Sequence, residues 1–289
     1  MREKIAIFWF RRDLRLDDNS ALAAALKSGL SVLPVFIFDP NILEKLKLKD
    51  DRRITFIYKT LTHLAETLKD RGGTLRIFHG RPADVYARLF DEYDIAAVFC
   101  NEDYEPYARD RDTRITKLCQ TRGAEFIALK DHVIFAPHEV LKDDATPYNV
   151  FTPYSRRWLE RFEHSLPAYV PMLPAGRFAG AAQNAGYPTL GDLGFTENSF
   201  EIPQIGVGDA LIENYAATRD IPGIRGTSRL GLHLRFGTIS IRALALRARE
   251  LSQKYLAELI WREFYQMIIW YYPQTTKEAF RAQYRKLRW

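Results

Sequence analysis

The chain has 289 residues, of which 47% are apolar, and a net charge of +6. This length and composition allow a sizeable core in one large domain or two modest ones. No apolar run reaches the roughly 18 residues that a membrane span needs, and a charged start followed by a strand pattern is not a signal peptide. Cys100 and Cys119 have no CxxC or His-rich neighbourhood, which disfavours a disulfide framework and a metal site. We therefore expect a cytoplasmic protein with no membrane partner, no metal and reduced cysteines.

Strand and helix patterns alternate regularly in the first part of the chain. Apolar runs rich in β-branched residues predict strands, and amphipathic runs between them predict helices. The predicted strands are Ile5 to Phe10, Val32 to Phe38, Leu75 to Phe78, Ala96 to Cys100 and Glu125 to Leu129, and the predicted helices are 19–28, 52–70, 82–92 and 106–122. Asn19 is placed to cap the first helix, Pro82 to begin the third and Gly123 to follow the fourth. Residues 1–131 are therefore predicted to form an α/β domain with a doubly wound, parallel, five-stranded sheet.

The first turn of this domain reads WFRRDLRLDD and contains neither GxGxxG nor a P-loop. A dinucleotide or ATP held by a glycine-rich turn is therefore disfavoured. A sheet of this kind nevertheless binds ligands at the carboxyl ends of its strands. Arg11, Arg12, Asp13 and Arg15 thus fit either an ordinary charged loop or part of a ligand site.

A long connector and then a helical region follow. Residues 132–205 have weak periodicity and many Pro, Gly, Ala and Asn, with one helical pattern from Pro153 to Phe162. A connector of this length is predicted to wrap over the surface as an ordered interdomain linker. Residues 206–289 are predicted to form an all-helical domain, with helices at about 207–219, 240–252 and 254–272 and a weaker one from 276.

Residues 255–272, YLAELIWREFYQMIIWYY, form the most distinctive predicted helix. Apolar side chains occur on every side of its helical wheel, while four polar residues recur at three- and four-residue spacing. These four are Glu258, Arg262, Glu263 and Gln266. The pattern fits a core helix whose few charges reach solvent, and it also fits a buried helix with one functional face.

The loop before this helix has the composition of an anion site. In DIPGIRGTSRLG, glycine permits close backbone approach, and Thr227, Ser228 and Arg229 supply hydrogen-bond donors. Between Arg219 and Glu263, nine Lys or Arg residues stand against four Asp or Glu. Such a basic face with aromatic residues suits cofactor phosphates or a nucleic-acid backbone. A plain connector with a solvated basic surface has the same composition.

Five segments together resemble the photolyase and cryptochrome family across nearly the whole chain. They are FWFRRDLRLDDNSAL, NEDYEPYARDRD, FTPYSRRW, GTSRLGLHLRFGTIS and the helix at 255–272. The resemblance is greatest to the DNA-repairing branch, the class I deoxyribodipyrimidine photolyases. It implies a carbon–carbon lyase in which light-excited, reduced FAD gives an electron to a cyclobutane pyrimidine dimer in DNA. Two alternatives stay open, a cryptochrome acting as a flavin-binding light sensor, and a stand-alone nucleotide-binding α/β module with an interaction domain.

The resemblance also implies roles for individual residues. The implied FAD contacts are Tyr215, Thr227, Ser228, Arg229, Leu230, Gly231, which replaces the usual serine, and Tyr255. The implied DNA contacts are Arg219, Glu258, Leu259, Ile260, Trp261, Arg262, Glu263, Phe264 and Tyr265, with Glu258 and Trp261 as the catalytic pair that meets the damaged bases. Trp289 matches a tryptophan of the family's electron relay. We predict that Glu258 and Trp261 face one cavity shared with Arg219 and residues 227–231.

A second, light-harvesting chromophore in the α/β domain is also implied. Folate-binding members place Asn and Glu where this chain has Tyr107 and Ala108. We therefore expect a deazaflavin or flavin antenna, or an empty pocket, rather than folate. The family continues far beyond the position of Trp289, so we expect an incomplete flavin-binding domain. The chain alone should bind FAD weakly or not at all and be inactive, and the complete protein should be a monomer.

Overall fold

The structure is a computed structural model that describes residues 2–171, 177–179 and 186–286. Within these residues, five parallel strands form one sheet in the order β3-β2-β1-β4-β5. The strands are β1 (Lys4–Phe10), β2 (Ser31–Phe38), β3 (Arg76–His79), β4 (Asp94–Asn101) and β5 (Glu125–Leu129). The helices are α1 (Ser20–Lys27), α2 (Pro40–Leu43), α3 (Arg52–Lys69), α4 (Pro82–Glu92), α5 (Pro106–Thr121), α6 (Phe151–His164), α7 (Asp209–Glu213), α8 (Tyr215–Thr218), α9 (Gly231–Phe236), α10 (Ile241–Leu251) and α11 (Gln253–Tyr271).

Both faces of the sheet are covered by helices. On β1, Phe8 and Phe10 pack into the cluster that contains α1 and α3, while Ile7 and Trp9 pack into the cluster that contains α4 and α5. Alternate residues of a strand point to opposite faces, so an apolar strand must be buried on both sides. The predicted fold class, a doubly wound parallel sheet, is therefore confirmed. The domain boundaries at 131 and 205 stay a prediction.

The predicted strands and helices of the α/β part begin and end within two residues of the positions expected. Local interactions explain where they begin and end. The side chain of Asn19 accepts a hydrogen bond from the backbone N–H of Leu22 at 3.1 Å and caps α1. Pro82 occupies the first turn of α4, where its missing N–H leaves no partner unsatisfied. Gly123 follows α5 with φ of +71°, a conformation that favours glycine.

The helical part agrees less closely with its prediction. The helix expected at 207–219 is divided into α7 and α8, and α9 was not predicted. The weaker helix expected from 276 is absent from the described residues, where 3-10 turns occur at Pro273–Thr276 and Ala282–Tyr284 instead. The long helix α11 packs against α6, α8 and α10. No helix in the described part of the chain is both long and apolar enough to span a membrane.

Candidate functional site

A buried charge network joins the first turn of the α/β part to the helical part. The carboxylate of Asp131 accepts hydrogen bonds from Arg15 at 2.7 Å and from Arg242 at 2.8 Å. Arg242 also pairs with Asp18 at 3.0 Å. Burial alone would raise the pKa of Asp131, but Arg15 and Arg242 outweigh it and hold this pKa at about 2. Arg15 and Asp18, in the second half of the FRRDLRLDD turn, therefore connect the α/β part to the helical part.

Backbone contacts tighten the same junction. The N–H of Leu14 donates to the carbonyl of Phe236 at 3.0 Å, and the guanidinium of Arg15 donates to the carbonyl of Gly237 at 3.0 Å. Gly237 has φ of +62° and ends α9 directly above Arg12 and Asp13. Only a residue without a side chain fits at this distance. The segment RFG thus fixes the start of the helical part on the α/β part.

A cavity of about 280 Å³ opens at the carboxyl ends of β1, β2 and β4. The sheet order reverses between β1 and β4, and this is where doubly wound sheets bind ligands. The aromatic and aliphatic walls include Trp9, Phe10, Phe36, Phe38, Ile42 and Ile57. The polar groups at the cavity include Tyr107, which donates a hydrogen bond to Asp39, and Lys45, which lies 5.2 Å from the Tyr107 ring centroid. Burial and the bond to Asp39 raise the pKa of Tyr107 to about 12, so this phenol is neutral and can donate.

A wall of charged residues separates this cavity from a second one. Glu105 accepts hydrogen bonds from Arg12 at 2.8 Å and from Arg235 at 2.7 Å, and Arg12 lies over the ring of Tyr104. The second cavity, of about 370 Å³, lies between the α/β part and α11. It is lined by Arg12, Tyr104, His132, Gly231, Leu234, Arg235, Arg262, Tyr265, Gln266 and Ile269. Arg12 and Arg235 line both cavities.

The residues implied as FAD contacts come together beside the first turns of α11. The rings of Tyr215 and Tyr255 meet edge to face, with centroids 5.0 Å apart. Burial raises the pKa of Tyr255, and the neighbouring Ser228 side chain opposes this, so the 227–231 loop lies beside this pair. Arg229 has φ of +53°, in the left-handed region, and is followed by Leu230 with φ of −76°. Paired backbone conformations of opposite hand turn successive N–H groups towards one side, as anion-binding loops require.

Exposure within this loop matches a ligand-facing role for part of it. Thr227, Arg229 and Gly231 are exposed and Ser228 is half-buried, whereas Leu230 is packed in the helical core. A Cβ built at Gly231 meets no heavy atom within 4 Å. The serine expected from the family pattern would therefore fit at this position. The donor set and the open space suit a phosphate group.

Arg219 and Glu258 form an ion pair. The guanidinium of Arg219 also lies 5.4 Å from the ring centroid of Tyr215 and pairs with Asp220 at 3.2 Å. Two side chains that the family resemblance implies as DNA contacts thus neutralise each other in this structure. They adjoin Tyr215, one of the implied FAD contacts, and the shared site stays a prediction.

Trp261 lies in an aromatic stack rather than facing the 227–231 loop. Its ring is parallel to that of Phe151, at an angle of 5° with centroids 3.6 Å apart. It also overlaps the ring of Tyr265, with centroids 5.4 Å apart. Tyr265 is 57% exposed, while Trp261 is half-buried. The structure therefore brings Glu258, Arg219 and Tyr215 together, and it places Trp261 and Tyr265 in a neighbouring group further along α11.

Glu263 does not lie on an exposed polar face. It accepts hydrogen bonds from the backbone N–H groups of Ile134 and Phe135, at 2.7 and 2.9 Å, and from the indole of Trp158 at 2.6 Å. Burial raises the pKa of Glu263 to about 7, against the lowering effect of these three donors. The carboxylate holds the linker on α11, and the implied DNA contact of Glu263 stays untested.

Four more of the residues implied as DNA contacts pack or form hydrogen bonds inside the protein. Leu259, Ile260 and Phe264 are buried in the helical core. Arg262 donates to the carbonyls of His132 at 2.7 Å and Leu234 at 3.2 Å. The expected single polar stripe on α11 is therefore divided, because Glu263 turns to the linker and Glu258 to Arg219. Trp289 lies outside the described residues, and its place in an electron relay stays a prediction.

The fold has one cavity in the α/β part and a second between that part and the helices. The chain belongs to the DNA photolyase family, whose sequence model matches residues 6–172. The deoxyribodipyrimidine photo-lyase of Halobacterium salinarum is 32% identical over 317 residues, covering 98% of this chain and 65% of that protein. An uncharacterised 31.6 kDa protein of Synechococcus is also 32% identical, covering 91% of this chain and 100% of that protein.

Solved structures agree with this assignment. The photolyase of Sulfolobus tokodaii, described with two FAD molecules, is 28% identical with a TM-score of 0.79, covering 98% of this chain and 64% of that one. A class III photolyase of Agrobacterium tumefaciens is 21% identical with a TM-score of 0.81, covering 100% of this chain and 64% of that one, and it supports the fold alone. The chain thus spans about 65% of the length of the first curated photolyases it matches.

Proposed function

We propose that this chain provides the α/β domain and one wall of the flavin and DNA sites of a photolyase, which repairs cyclobutane pyrimidine dimers in DNA by light-dependent electron transfer from reduced FAD. The observation that carries the proposal is a single stretch of α11, Tyr255 to Tyr265. It adjoins a phosphate-type loop at one end and presents a partly exposed pair of aromatic rings at the other. Membership of the photolyase family supports the same function.

The FAD-contact residues divide into an aromatic wall and a donor loop. Tyr215 and Tyr255 offer ring surfaces, and Thr227, Ser228 and the backbone near Arg229 offer hydrogen-bond donors for a pyrophosphate. The chemistry that FAD supplies when bound is light-driven transfer of an electron. The chain's own residues bind and orient the cofactor. The open space at Gly231 leaves one phosphate contact fewer than a serine would give.

The DNA-contact residues that remain accessible have complementary tasks. Arg219 carries a positive charge that suits a DNA phosphate, and Glu258 beside it can accept a hydrogen bond from a base edge. Trp261 and Tyr265 offer a planar apolar surface for bases taken out of the stack. A phosphate that competes for Arg219 would release Glu258 from its ion pair. Phosphate contact and lesion contact are thus joined through one pair of side chains.

The cavity of about 280 Å³ in the α/β part suits the second chromophore. Its walls are largely aromatic and aliphatic, and its polar groups include Lys45, Tyr107 and Arg111. A planar ring system with a polar edge, of the flavin or deazaflavin type, fits this lining. The Sulfolobus tokodaii photolyase, with its two FAD molecules, gives a related example.

Equilibrium binding to oligonucleotides with and without one pyrimidine dimer, in the presence of FAD, tests the proposal. Trp261→Ala should weaken binding to the dimer by about 1 to 3 kcal/mol and leave undamaged DNA little affected, because the lost stacking concerns extruded bases. Arg219→Ala should weaken both about equally and lower the salt slope by about 1, as a phosphate contact does. Trp270→Ala is the matched control, since Trp270 lies on α11 but packs on Arg109, with a guanidinium-to-ring distance of 4.0 Å.

The same experiment separates the alternatives. Flavin binding without any preference for the dimer would replace repair by a flavin-based light sensor. A ligand bound only in the α/β cavity, with no effect of substitutions between residues 215 and 265, would indicate a nucleotide-binding module.

A further inference from the structure

The position of the Trp261 indole is set by a residue of the linker, not by α11 alone. Phe151 lies parallel to the indole, at 5° with ring centroids 3.6 Å apart, so it covers one face of Trp261. Phe264 meets the same indole edge to face with centroids 5.7 Å apart. An indole confined on two sides by rings has few rotamers left. Removing the parallel ring would free it to rotate.

Phe151 is itself held firmly. It is the first residue of α6, and further along that helix Tyr154, Trp158 and Phe162 are buried in the helical core. The indole N–H of Trp158 donates to Glu263 at 2.6 Å. Helix α6 is therefore attached to α11 at two points. One is the hydrogen bond from Trp158 to Glu263, and the other is the stack of Phe151 on Trp261, two residues earlier on α11.

The stack also decides which side of Trp261 is available to a ligand. Phe151 covers one face of the indole, and the ring of Tyr265, inclined by 24° with its centroid 5.4 Å away, adjoins the indole as well. Tyr265 is 57% exposed, so this end of the aromatic group is accessible. A flat apolar ligand must therefore use the ledge formed by Trp261 and Tyr265, which we call the aromatic ledge. Phe151 stacks on the Trp261 ring of this ledge.

We propose that Phe151 is a positioning residue for recognition of the damaged bases, acting through Trp261. This inference rests on the proposed function, and it adds a residue of the linker to the lesion site. Stacking contacts depend on ring orientation, so a ledge with a mobile indole would bind extruded bases less well. Binding of undamaged duplex DNA, which relies on phosphate contacts, would be unaffected.

The test compares three variants of the whole 289-residue chain with the unsubstituted protein. Phe151→Leu removes the ring and keeps an apolar side chain, Phe151→Tyr keeps the ring, and Phe162→Leu is the control. Phe162 is fully buried on the same helix and stacks on Trp158, so its loss costs core packing near the other attachment point. The measurements are affinity for dimer-containing and undamaged oligonucleotides with FAD present, and near-ultraviolet circular dichroism of the aromatic bands.

We expect Phe151→Leu to lower the preference for the dimer by about 2- to 10-fold, with undamaged DNA bound as before. Its near-ultraviolet circular dichroism should change, whereas Phe151→Tyr should keep both the dimer preference and the dichroism of the unsubstituted protein. Phe162→Leu should lower stability but keep the preference. An unchanged preference in Phe151→Leu, or an equal loss in Phe162→Leu, would overturn the positioning role. If the unsubstituted protein, saturated with FAD, shows no preference for the dimer, the proposed function fails and this inference fails with it, whereas failure of the inference alone leaves the Trp261→Ala effect intact.

Discussion

Gly237 lies where the end of α9 meets the first turn of the α/β part, and Gly237→Ala tests how firmly the two parts are joined. The residue has φ of +62°, which an alanine adopts only at a cost. A Cβ at this position would lie 2.7 Å from Cα of Asp13 and closer still to the carbonyl oxygen of Arg12. Because both neighbours are backbone atoms, the two segments must move apart.

The magnitude follows from the contacts that this movement breaks. The left-handed conformation costs about 1 to 2 kcal/mol for a residue with a Cβ. The hydrogen bond from Leu14 to Phe236 contributes about 0.5 to 1.5 kcal/mol, and the bond from the charged Arg15 to the carbonyl of Gly237 about 1.5 to 3 kcal/mol. We therefore expect a loss of about 3 to 6 kcal/mol in the free energy of unfolding. This is a large part of the roughly 5 to 15 kcal/mol typical of a folded protein.

Urea unfolding followed by far-ultraviolet circular dichroism measures the loss, with Gly29→Ala as the matched control. Gly29 has φ of +80° but no heavy atom within 4 Å of a built Cβ. It should lose only the conformational part, about 1 to 2 kcal/mol. Equal losses in the two variants would show that the close approach at Gly237 does not hold the junction.

Four further predictions concern the site. Glu258→Gln removes the carboxylate that competes with DNA for Arg219, so undamaged DNA should bind more tightly in titrations at several ionic strengths, with the salt slope unchanged because Arg219 contributes one phosphate contact in both proteins. The pKa of Glu263 is raised from 4.5 to about 7, so the stability it contributes is present below pH 4.5 and is lost as pH rises through 7. The free energy of unfolding of the unsubstituted chain, measured with urea, should therefore fall between pH 4.5 and 7 by about 3 kcal/mol more than that of Glu263→Gln. Gly231→Ser should strengthen FAD binding in calorimetric titrations, because its hydroxyl adds a phosphate contact in open space. In a complete protein, Trp289→Phe should slow flavin photoreduction without changing dimer binding, and an unchanged rate would remove Trp289 from the relay.

The α/β part could be predicted closely because each of its elements has a local cause. Strand β2 is buried throughout, so its apolar run marks it without reference to any other segment. Helix α3 begins after Asp51, whose side chain accepts from the N–H of Arg53 at 2.9 Å, a cap visible in the sequence. Short helices gave no such signal. Helix α9 begins at a glycine and has no side-chain cap, and its place depends on the contact of Gly237 with the distant first turn.

The charged first turn shows a second limit of sequence reasoning. Arg15, Asp131 and Arg242 are separated by more than a hundred residues at each step, yet they form one buried ion network. Composition shows the charges but not their pairing, so the same residues fitted an exposed loop equally well. What distinguishes the two cases is burial, because a charge withdrawn from water must be paired. A buried cluster of this kind can be inferred only after the helical part is placed against the α/β part.

The polar residues of α11 differ in the groups with which they form hydrogen bonds or ion pairs. Glu263 accepts hydrogen bonds from two backbone N–H groups and an indole, and Arg262 donates to two carbonyls. Both side chains therefore bind the linker or α9. Glu258 is paired with a partly exposed cation, Arg219, for which a phosphate could compete. A helical wheel treats these polar side chains alike, since it records direction around the axis and not the partner. The surface that we propose for DNA is therefore narrow, running from Glu258 past Trp261 to Tyr265, and its aromatic half contacts a ring supplied by the linker.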